Sequence, residues 1–387
     1  MARITEVKTV LFVGAGGSAP FGYATTDQFI NEVKNLALDE PERQILQSYT
    51  EAPNITIEDI IRALDIRIKE ANNQLLRQEA VSPLRTMRSA SSVIENADER
   101  TKLENEFSKE AERLDRLLNA YKTLKDRIVS QIYISYADKP NMEHAWEIYE
   151  SYISILREQN GSVIPISTTN YDRVIESLAD IPDADIQSVV TGFRRQKKGL
   201  PRNPLWAPEV FDEEPQRDKI LLFKLHGSLN WRMDNRHLLR EAEEGRFDLR
   251  GFWTENVLVP PGTDDFRYGE PYHSLRTYFE GYLERAQSCL VIGYRFDDLT
   301  IRDFFVRNLR RGLRLILVSP DAETVRDQKA DISPEFRDIV CIPKKMEEAA
   351  QDVTEALRSK KPAVEVPETP PTEPEAEAPP TTTPEEV

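Results

Sequence analysis

The chain has 387 residues, with 51 basic and 67 acidic side chains and a net charge of −16 at pH 7. Its hydrophobic fraction of 39% is enough for a globular core, in one large or two ordinary domains. The negative balance argues against a protein that binds nucleic acid over its whole surface, because phosphate contacts need an excess of Lys and Arg on one face. We therefore expect no strong direct binding of nucleic acid.

The N-terminal segment MARITEVKTVLFVG lacks the features of a signal peptide, and no apolar run approaches the roughly 20 residues of a membrane span. Cys289 and Cys341 are far apart in apolar surroundings and form neither a disulfide framework nor a C-x-x-C metal site. Two buried free thiols are typical of a reducing compartment. These features predict a cytoplasmic protein without a membrane partner and without a bound metal.

Near the N-terminus, TVLFVGAG indicates a buried strand that enters a glycine turn, and TTDQFINEVKNLAL then has apolar residues at helical spacing. The turn GAGGSA fits the pattern G-x-G-x-x-A, with Gly14 for the tight turn, Gly16 for close backbone approach and Ala19 for helix packing. Backbone N–H groups of such a turn can face a pyrophosphate. A purely structural glycine turn remains an alternative.

A nicotinamide dehydrogenase also needs an acid at the end of a second strand about 20 residues further on. Asp39 and Glu40 stand at that distance, but their context NLALDEPERQILQSY is helical. The sequence therefore disfavours a dehydrogenase.

The region 76–160 has a different character. From Leu103 to Ile132 apolar residues recur three or four apart amid dense charge, with no Gly or Pro, which predicts a long amphipathic helix. We interpret the region as a helical insertion that packs on the sheet domain or on a neighbouring subunit. A merely local covering layer is an equally consistent interpretation.

Further apolar runs, SVIPIST, KILLFKLHG, SCLVIGY and RLILVSP, alternate with helical stretches and predict a parallel sheet covered on both faces. The predicted fold class is α/β, a Rossmann-like parallel sheet flanked by helices, with a helical insertion. We expect a discontinuous catalytic domain at 1–75 and 161–346, an insertion at 76–160 and a C-terminal helix at 347–360. Residues 361–387 carry eight prolines and predict a disordered tail.

Polar side chains follow two of these strands. Thr168, Thr169, Asn170 and Asp172 end one strand, where helix capping would explain one polar residue but not four in five. His226 ends another strand and precedes a glycine, although a lone histidine is more often structural. Because open α/β sheets bind ligands at the carboxyl ends of their strands, we expect these groups at one edge, where they suit a dinucleotide and a general base.

Two more strand ends contribute candidates. Gly293 closes the strand SCLVI, and Asp297 or Thr300 is a candidate cap for the helix that follows. Ser319 stands at the end of the strand RLILV. An ordinary turn and helix cap between a strand and the next helix would explain these residues equally well.

The motifs GAGGS, TTNYD, HGS and IGYRFDD, in this order, resemble the sirtuin family, and in particular the branch of bacterial anti-phage NADases. The resemblance covers about residues 7–75 and 160–345 and implies NAD⁺ as the substrate. It implies that Asn170 and Asp172 position the nicotinamide ribose and that His226 acts at its hydroxyls or on the attacking water. It assigns the rest of the NAD⁺ site to Gly14, Ala15, Gly16 and Ser18 at the pyrophosphate, and to Phe21, Thr25, Thr169, Gly293, Tyr294, Asp297 and Ser319.

Two departures from sirtuin deacylases bear on the reaction. The loop APFGYATT lacks the acid and the arginine that the deacylases carry there, and FGYATTDQF is more similar to the defence branch. Residues 227–288 contain no cysteine, where the deacylases have four zinc ligands. The resemblance therefore predicts an NAD⁺ glycohydrolase that forms ADP-ribose and nicotinamide. The alternatives are a protein deacylase or ADP-ribosyltransferase, and a catalytically silent NAD-sensing or scaffold subunit.

The same resemblance implies a toxic effector of anti-phage defence that acts by NAD⁺ depletion in abortive infection. Such an activity must be restrained, so we expect a homo-oligomer and a separate sensor or activator protein. A HerA-type ATPase is the favoured partner, and a short Argonaute or a signal-sensing protein is an alternative. The helix from Leu103 to Ile132 and the tail are the candidate contact surfaces.

Overall fold

The structure is a computed structural model. It describes residues 7–51, 55, 57–89, 97–137, 140–161, 163–182, 184–194, 204–213, 219–234, 238–242, 253–258 and 269–359. At residues 58, 78–89, 97–100, 103–104, 137 and 253–258 it describes the backbone alone. The predicted tail, residues 361–387, lies outside the described residues.

The described strands are, in chain order, β1 (Thr9–Val13), β2 (Val163–Thr168), β3 (Ser188–Val190), β4 (Phe193–Arg194), β5 (Leu205–Trp206), β6 (Lys219–Lys224), β7 (Gly227–Asp234), β8 (Leu239–Glu241), β9 (Trp253–Leu258), β10 (Ser288–Ile292), β11 (Arg314–Val318) and β12 (Val340–Ile342). The described α-helices are α1 (Thr26–Lys34), α2 (Glu40–Thr50), α3 (Ile57–Ser89), α4 (Ala97–Ala137), α5 (Met142–Asn160), α6 (Val174–Ser177), α7 (Tyr272–Arg285), α8 (Leu299–Arg310), α9 (Ala322–Ala330) and α10 (Ala350–Arg358).

Seven strands form one sheet in the order β12-β11-β10-β1-β2-β6-β3, and every neighbouring pair is parallel. The five strands predicted from apolar runs are β1, β2, β6, β10 and β11, and their residues are almost all buried, as a sheet covered on both faces requires. The predicted α/β class and the parallel sheet are confirmed. The short strands β3 and β12 were not predicted.

The strand order fixes where a ligand site is expected. From β1 the chain builds outward through β2 to β6, and it later builds in the other direction through β10, β11 and β12. The winding therefore reverses between β1 and β10. In open α/β sheets the ligand crevice lies at the carboxyl ends of the strands beside this reversal.

Helices cover both faces of the sheet. On one face α7, α8 and α9 pack against alternate residues of the strands, such as Phe12 and Phe223. On the other face α5, α6 and α10 pack against the residues between them, such as Leu11 and Leu222. Although α5 falls in the region predicted as an insertion, it packs on the sheet. The predicted domain boundaries themselves stay predictions.

A third apolar cluster contains residues of the four helices α1, α2, α3 and α4. It also includes Tyr171, which follows β2. The long helix predicted from Leu103 to Ile132 is confirmed, since it lies within α4. Its apolar stripe is buried at Leu114, Leu118, Leu124, Ile128 and Ile132. Phe107, nearer the start of α4, is 37% exposed. The C-terminal part of α4 therefore packs next to the carboxyl edge of the sheet.

A smaller antiparallel sheet has the order β4-β5-β8-β7-β9. Only Leu225 and His226 separate β6 of the main sheet from β7 of the small one, so His226 lies at the junction of the two sheets. No described helix is long and apolar enough to cross a membrane. Of the two cysteines expected to be buried, Cys289 is buried, whereas Cys341 is only half-buried.

Candidate active site

A cavity of about 960 Å³ lies at the carboxyl edge of the main sheet. Its walls are the loops that follow β1, β2, β6, β10, β11 and β12, together with residues of α3 and α4. This volume is at the upper end of the roughly 300–1,000 Å³ that is usual for small-molecule and cofactor sites. Strands that are far apart in the chain thus contribute to one site, as the motifs predicted.

Eleven of the fourteen predicted site residues line this cavity, namely Ala15, Gly16, Ser18, Thr25, Thr169, Asn170, His226, Gly293, Tyr294, Asp297 and Ser319. Gly14, Phe21 and Asp172 do not. The ring of Phe21 instead stacks on Tyr149 of α5, with the ring centroids 5.7 Å apart. Asp172 is fully buried beneath the cavity wall, so it acts on the cavity through other side chains.

The glycine loop after β1 uses most of its amides within the protein. Gly14 N–H donates to Ile292 O at 2.9 Å, and Gly16 N–H donates to Gly293 O at 3.0 Å. The N–H groups of residues 17 and 18 donate within the loop itself. Within the described residues, Ala15 N–H is the one amide of residues 14–18 without a protein acceptor. The glycine pattern did not predict that the other four bind carbonyls.

The loop also differs from the predicted strand-turn-helix unit. Two short 3-10 turns, Ala15–Gly17 and Ala19–Phe21, follow β1, and α1 begins only at Thr26. Ala19 is exposed, so the prediction that it packs a helix was wrong. Thr25 caps α1, because its Oγ1 accepts from Gln28 N–H at 3.4 Å.

Gly293, after β10, is the residue against which the glycine loop packs. It has a φ of +62°, which favours glycine, and a Cβ there would overlap the backbone of Gly16. In the same way, a Cβ on Gly14 would come within 2.6 Å of Gly293 O. These glycines therefore bring the loops of β1 and β10 into direct contact at the reversal point of the sheet.

The side-chain amide of Asn170 has a defined orientation. Its Nδ2 donates to Gly14 O at 2.9 Å and to Ser18 Oγ at 2.7 Å. A backbone carbonyl can only accept, so the nitrogen must be the atom that faces Gly14. Within the described residues Oδ1 accepts no hydrogen bond. Asn170 therefore offers the cavity an acceptor oxygen, which suits a ligand hydroxyl or a water molecule.

Asp172 holds this amide through one intermediate side chain. Ser18 Oγ donates to Asp172 Oδ2 at 2.6 Å, and Val174 N–H donates to Oδ1 at 3.0 Å. Burial raises the pKa of Asp172, and the charge of Lys224 and the hydrogen bond from Ser18 offset only part of this effect. Asp172 is thus a positioning residue that reaches Asn170 through Ser18.

A buried ion pair supports the loop that carries Asn170 and Asp172. Lys224, the last residue of β6, is 1% exposed, and its Nζ lies 2.8 Å from Glu176 Oε1. The same Nζ donates to the backbone carbonyls of Tyr171 and Asp172. This buried cation was not predicted from the sequence, although a lysine at the end of the apolar strand KILLFK is a signal for it.

His226 pairs with an aspartate from another element. Its Nε2 lies 3.1 Å from Asp298 Oδ2, and both side chains are almost fully buried. Asp298 Oδ1 accepts from the N–H groups of Thr300 and Ile301 at the start of α8. Burial alone would raise the pKa of Asp298, but the hydrogen bond and charge of His226 and the N–H of Ile301 hold it below its usual range.

Asp298 corrects two predictions. The proposed caps of α8 were Asp297 and Thr300, but the cap is Asp298. Asp297 is instead paired with Lys329, whose Nζ lies 2.6 Å from Asp297 Oδ1. From the sequence alone, neighbouring Asp297 and Asp298 are equally good candidates for the cap of α8. The choice depends on which carboxylate the tertiary fold brings to His226.

Charged groups surround the side of the cavity near β11. Arg295 contacts Asp27 of α1 at 3.1 Å and Asp321 at 2.9 Å, so it ties the start of α1 to the loop after β11. Ser319 donates to Asp321. Arg295 is half-exposed, so these ion pairs contribute little stability, but they place a cation beside the cavity.

Aromatic rings connect α4 to His226. Tyr136 of α4 stacks on Tyr23 at 5.5 Å and lies edge-on to Tyr171 at 6.5 Å. Tyr171 in turn lies 6.5 Å from the imidazole of His226. Tyr136 O–H also donates to Ala24 O at 3.0 Å. The helical region thus forms a wall of the site.

Among the described residues, no group of three or more His, Cys, Asp or Glu side chains is arranged to hold a metal ion. The site is therefore built from an amide, a His–Asp pair and a glycine loop at the reversal point of a doubly wound sheet. This combination defines an α/β protein with a polar crevice between β1 and β10.

Comparison with known proteins finds a similar domain family and similar solved structures. Residues 165–336 match the model of a SIR2-like domain. The match includes Asn170, His226 and Asp298 but not the glycine loop after β1. No curated protein matches the chain.

Among solved structures, the chain is similar to a Sir2 homologue in complex with NAD, at 14% identity and a TM-score of 0.40, over 91% of this chain and 89% of that chain. It is also similar to a Sir2 structure with a p53 peptide and NAD⁺, at 14% identity and a TM-score of 0.39, over 90% and 92% of the two chains.

Proposed function

We propose that the chain is an NAD⁺ glycohydrolase that cleaves NAD⁺ into nicotinamide and ADP-ribose. The observation that carries the proposal is that Asn170 and His226, from separate strands, line one cavity beside the reversal point of the sheet. The match of residues 165–336 to a SIR2-like domain supports NAD⁺ as the ligand. The size of the cavity is compatible with an extended dinucleotide.

The pyrophosphate is assigned to the glycine loop. Among the described residues, Ala15 N–H is the one amide of residues 14–18 without a protein acceptor, and Arg295 supplies a positive charge beside the cavity. The nicotinamide ribose is assigned to Asn170, whose Oδ1 accepts from a ribose hydroxyl. The link through Ser18 to Asp172 keeps Oδ1 in place.

The reaction requires little covalent chemistry from the protein. Nicotinamide leaves NAD⁺ as a neutral base, and the positive charge moves to an oxocarbenium-like ribose. The electronegative Oδ1 of Asn170 stabilises that charge. Water then forms a bond to C1′ and loses a proton to His226, the general base. The oxygen becomes the new hydroxyl of ADP-ribose, and His226 returns the proton to solvent.

The test is NAD⁺ consumption by the purified full-length chain without any peptide, with nicotinamide and ADP-ribose separated by chromatography. Asn170→Ala and His226→Ala should lower the rate by roughly 10²-fold or more. The exposed residues His273 and Asn119 offer matched controls, since His273→Ala and Asn119→Ala should keep the wild-type rate. Equal activity of His226→Ala and His273→Ala would refute the assignment.

The same assay separates the alternatives. A deacylase or ADP-ribosyltransferase would leave NAD⁺ intact until an acceptor is added. A silent NAD-sensing subunit would bind NAD⁺ but never release nicotinamide, even in cells. Binding with wild-type affinity by His226→Ala together with complete loss of turnover would exclude the sensor.

We further propose that this activity depletes NAD⁺ as the effector of a bacterial anti-phage system and is restrained by self-assembly or by a partner, for which a HerA-type ATPase is the favoured candidate. The similarity of the motifs to the defence branch supports this role. We expect phage infection to lower cellular NAD⁺ only when wild-type chain and partner are co-expressed. Unchanged NAD⁺ during infection would contradict the role but not the hydrolase activity.

A further inference from the structure

The pair of His226 and Asp298 joins two distant parts of the chain. His226 lies between β6 and β7, whereas Asp298 precedes α8. Their side chains are 5% and 6% exposed, and Nε2 lies 3.1 Å from Oδ2. A buried carboxylate this close to an imidazole fixes both the orientation of the ring and the nitrogen that carries its proton.

The carboxylate itself is immobilised by the helix. Oδ1 accepts from Thr300 N–H at 2.8 Å and from Ile301 N–H at 3.1 Å, which leaves Oδ2 directed at His226. The N-terminus of α8 also favours a negative charge at this position. Asp298 therefore accepts hydrogen bonds with both oxygens, and neither oxygen can rotate away without breaking the cap.

An ionised carboxylate can only accept, so the neutral imidazole must carry its proton on Nε2. Among the described residues Nδ1 forms no hydrogen bond, so its lone pair is left to take a proton. We propose that Asp298 is the residue that positions His226: it holds the imidazole in the Nε2–H tautomer and stabilises the imidazolium formed when Nδ1 takes a proton.

The role of Nδ1 in proton uptake rests on the proposed hydrolase activity, whereas the tautomer of His226 does not depend on it. During hydrolysis the proton moves from water to Nδ1 and the hydroxide oxygen bonds to C1′. Oδ2 of Asp298 keeps its hydrogen bond to Nε2–H throughout. The ring then carries one positive charge beside one negative charge, and no further reactant is needed.

A simpler role would be helix capping alone, and two substitutions separate the roles. Asp298→Ser keeps a good capping side chain but cannot reach His226. Asp298→Asn keeps both the cap and the reach, but it offers an N–H group to Nε2 and so forces the proton onto Nδ1. Asp303→Asn, at an exposed position of the same helix, is the matched control.

The first readout is the ¹⁵N NMR spectrum of protein labelled at histidine, with the His226 signals assigned by comparison with His226→Ala. We expect protonated Nε2 in the wild type and in Asp303→Asn, and protonated Nδ1 in Asp298→Asn. This readout needs no activity. Protonated Nδ1 in the wild type, or protonated Nε2 in Asp298→Asn, would overturn the proposal even if NAD⁺ is not the substrate.

The second readout is the kinetics of NAD⁺ cleavage. Asp298→Asn should lower kcat by roughly 10²- to 10⁴-fold with KM changed less than about threefold, because the ring stays in place with the wrong nitrogen protonated. Asp298→Ser should lower kcat less, and both variants should melt within about 3 °C of the wild type. A wild-type kcat for Asp298→Asn would refute the positioning role, and an inactive wild type with the expected tautomers would refute only the hydrolase.

Discussion

The two sides of the cavity contain one buried aspartate each, and the two differ in how the protein treats their charge. Asp172 lies beneath Asn170, and burial raises its pKa despite the nearby Lys224. Asp298 lies beside His226, and the hydrogen bonds it accepts hold its pKa below the usual range. Asp172 also accepts hydrogen bonds, from Ser18 and from Val174 N–H. The direction of each pKa shift therefore depends on whether the hydrogen bonds and nearby charges together outweigh the effect of burial.

The supporting groups differ as well. The side of the cavity with Asn170 depends on the Lys224–Glu176 ion pair, because Lys224 Nζ also donates to the carbonyl of Tyr171 in the loop after β2. The His226 side depends on the N-terminus of α8. The Asn170 side is therefore supported by a charge from a neighbouring strand, and the His226 side by backbone amides of a helix.

The largest effect is expected from the ion pair. Lys224→Met leaves Glu176 buried without its cation and removes two hydrogen bonds to the loop, so it should lower the free energy of unfolding by about 3–5 kcal/mol. Urea denaturation measures this. Lys344→Met breaks the exposed pair with Asp352 and should cost less than about 1 kcal/mol. Equal losses in the two variants would show that the buried pair does not support the Asn170 side.

The contact between the loops of β1 and β10 should be the next most sensitive feature. Gly293→Ala should cost about 2–4 kcal/mol, because the new Cβ overlaps the backbone of Gly16 at a positive φ. Gly312→Ala is the control, since Gly312 has a φ of +96° but no atom within 4 Å of a Cβ. Its cost should be only about 1 kcal/mol, from strain alone. A cost for Gly293→Ala no greater than this would rule out close contact between the two loops.

The two aspartates should have opposite effects on how the free energy of unfolding changes with pH. The pKa of Asp298 is lowered on folding, so its contribution is present above the unfolded value of about 3.9 and is lost as the pH falls through the folded pKa. The pKa of Asp172 is raised, so the folded state keeps its proton longer and stability falls as the pH rises from that unfolded value through the folded pKa.

Urea denaturation between pH 2.5 and pH 7, a range chosen to span the unfolded value of about 3.9, tests this difference. Asp298→Asn should reduce the loss of stability in acid, and Asp172→Asn should remove the decline above the unfolded value. If both substitutions change the pH dependence of stability in the same direction, the two pKa shifts do not have opposite directions.

The smallest expected effect concerns the link between Asp172 and Asn170. Ser18→Ala removes two buried hydrogen bonds and should cost about 1–2 kcal/mol. Ser48→Ala, which removes an exposed hydroxyl on α2, should be nearly neutral. Calorimetric melting of both variants provides the measurement. If Ser18→Ala is also neutral, Asp172 does not hold Asn170 through this serine.

The sequence was sufficient to predict five of the seven described strands of the main sheet, because buried parallel strands appear as continuous apolar runs. It also predicted that Asn170 and His226 lie at one edge of the sheet, where both line the cavity, since parallel strands present their carboxyl ends at the same edge. It could not predict β3 or β12, because three residues in a row carry no periodicity. The smaller antiparallel sheet was missed for the same reason, since three of its five described strands, β4, β5 and β8, have only two or three residues.

Contacts between distant residues explain the other errors. Asp297 and Asp298 are neighbours of the same type, and only the position of His226 separates their roles. The amides of Gly14 and Gly16 bind carbonyls of the strand β10 and its loop, which lie nearly 280 residues further along the chain. Phe21 follows a glycine-rich turn and resembles a ligand contact, but α5 provides Tyr149 as its partner.

The central claim is that Asn170 and His226 act on the same end of a bound NAD⁺ molecule. A crystal structure of the His226→Ala variant with NAD⁺ tests it most directly, since that variant should bind but not cleave. We expect a hydroxyl of the nicotinamide ribose within about 3.2 Å of Asn170 Oδ1 and the pyrophosphate at Ala15 N–H. NAD⁺ bound with its adenosine beside Asn170, or outside this cavity, would contradict it.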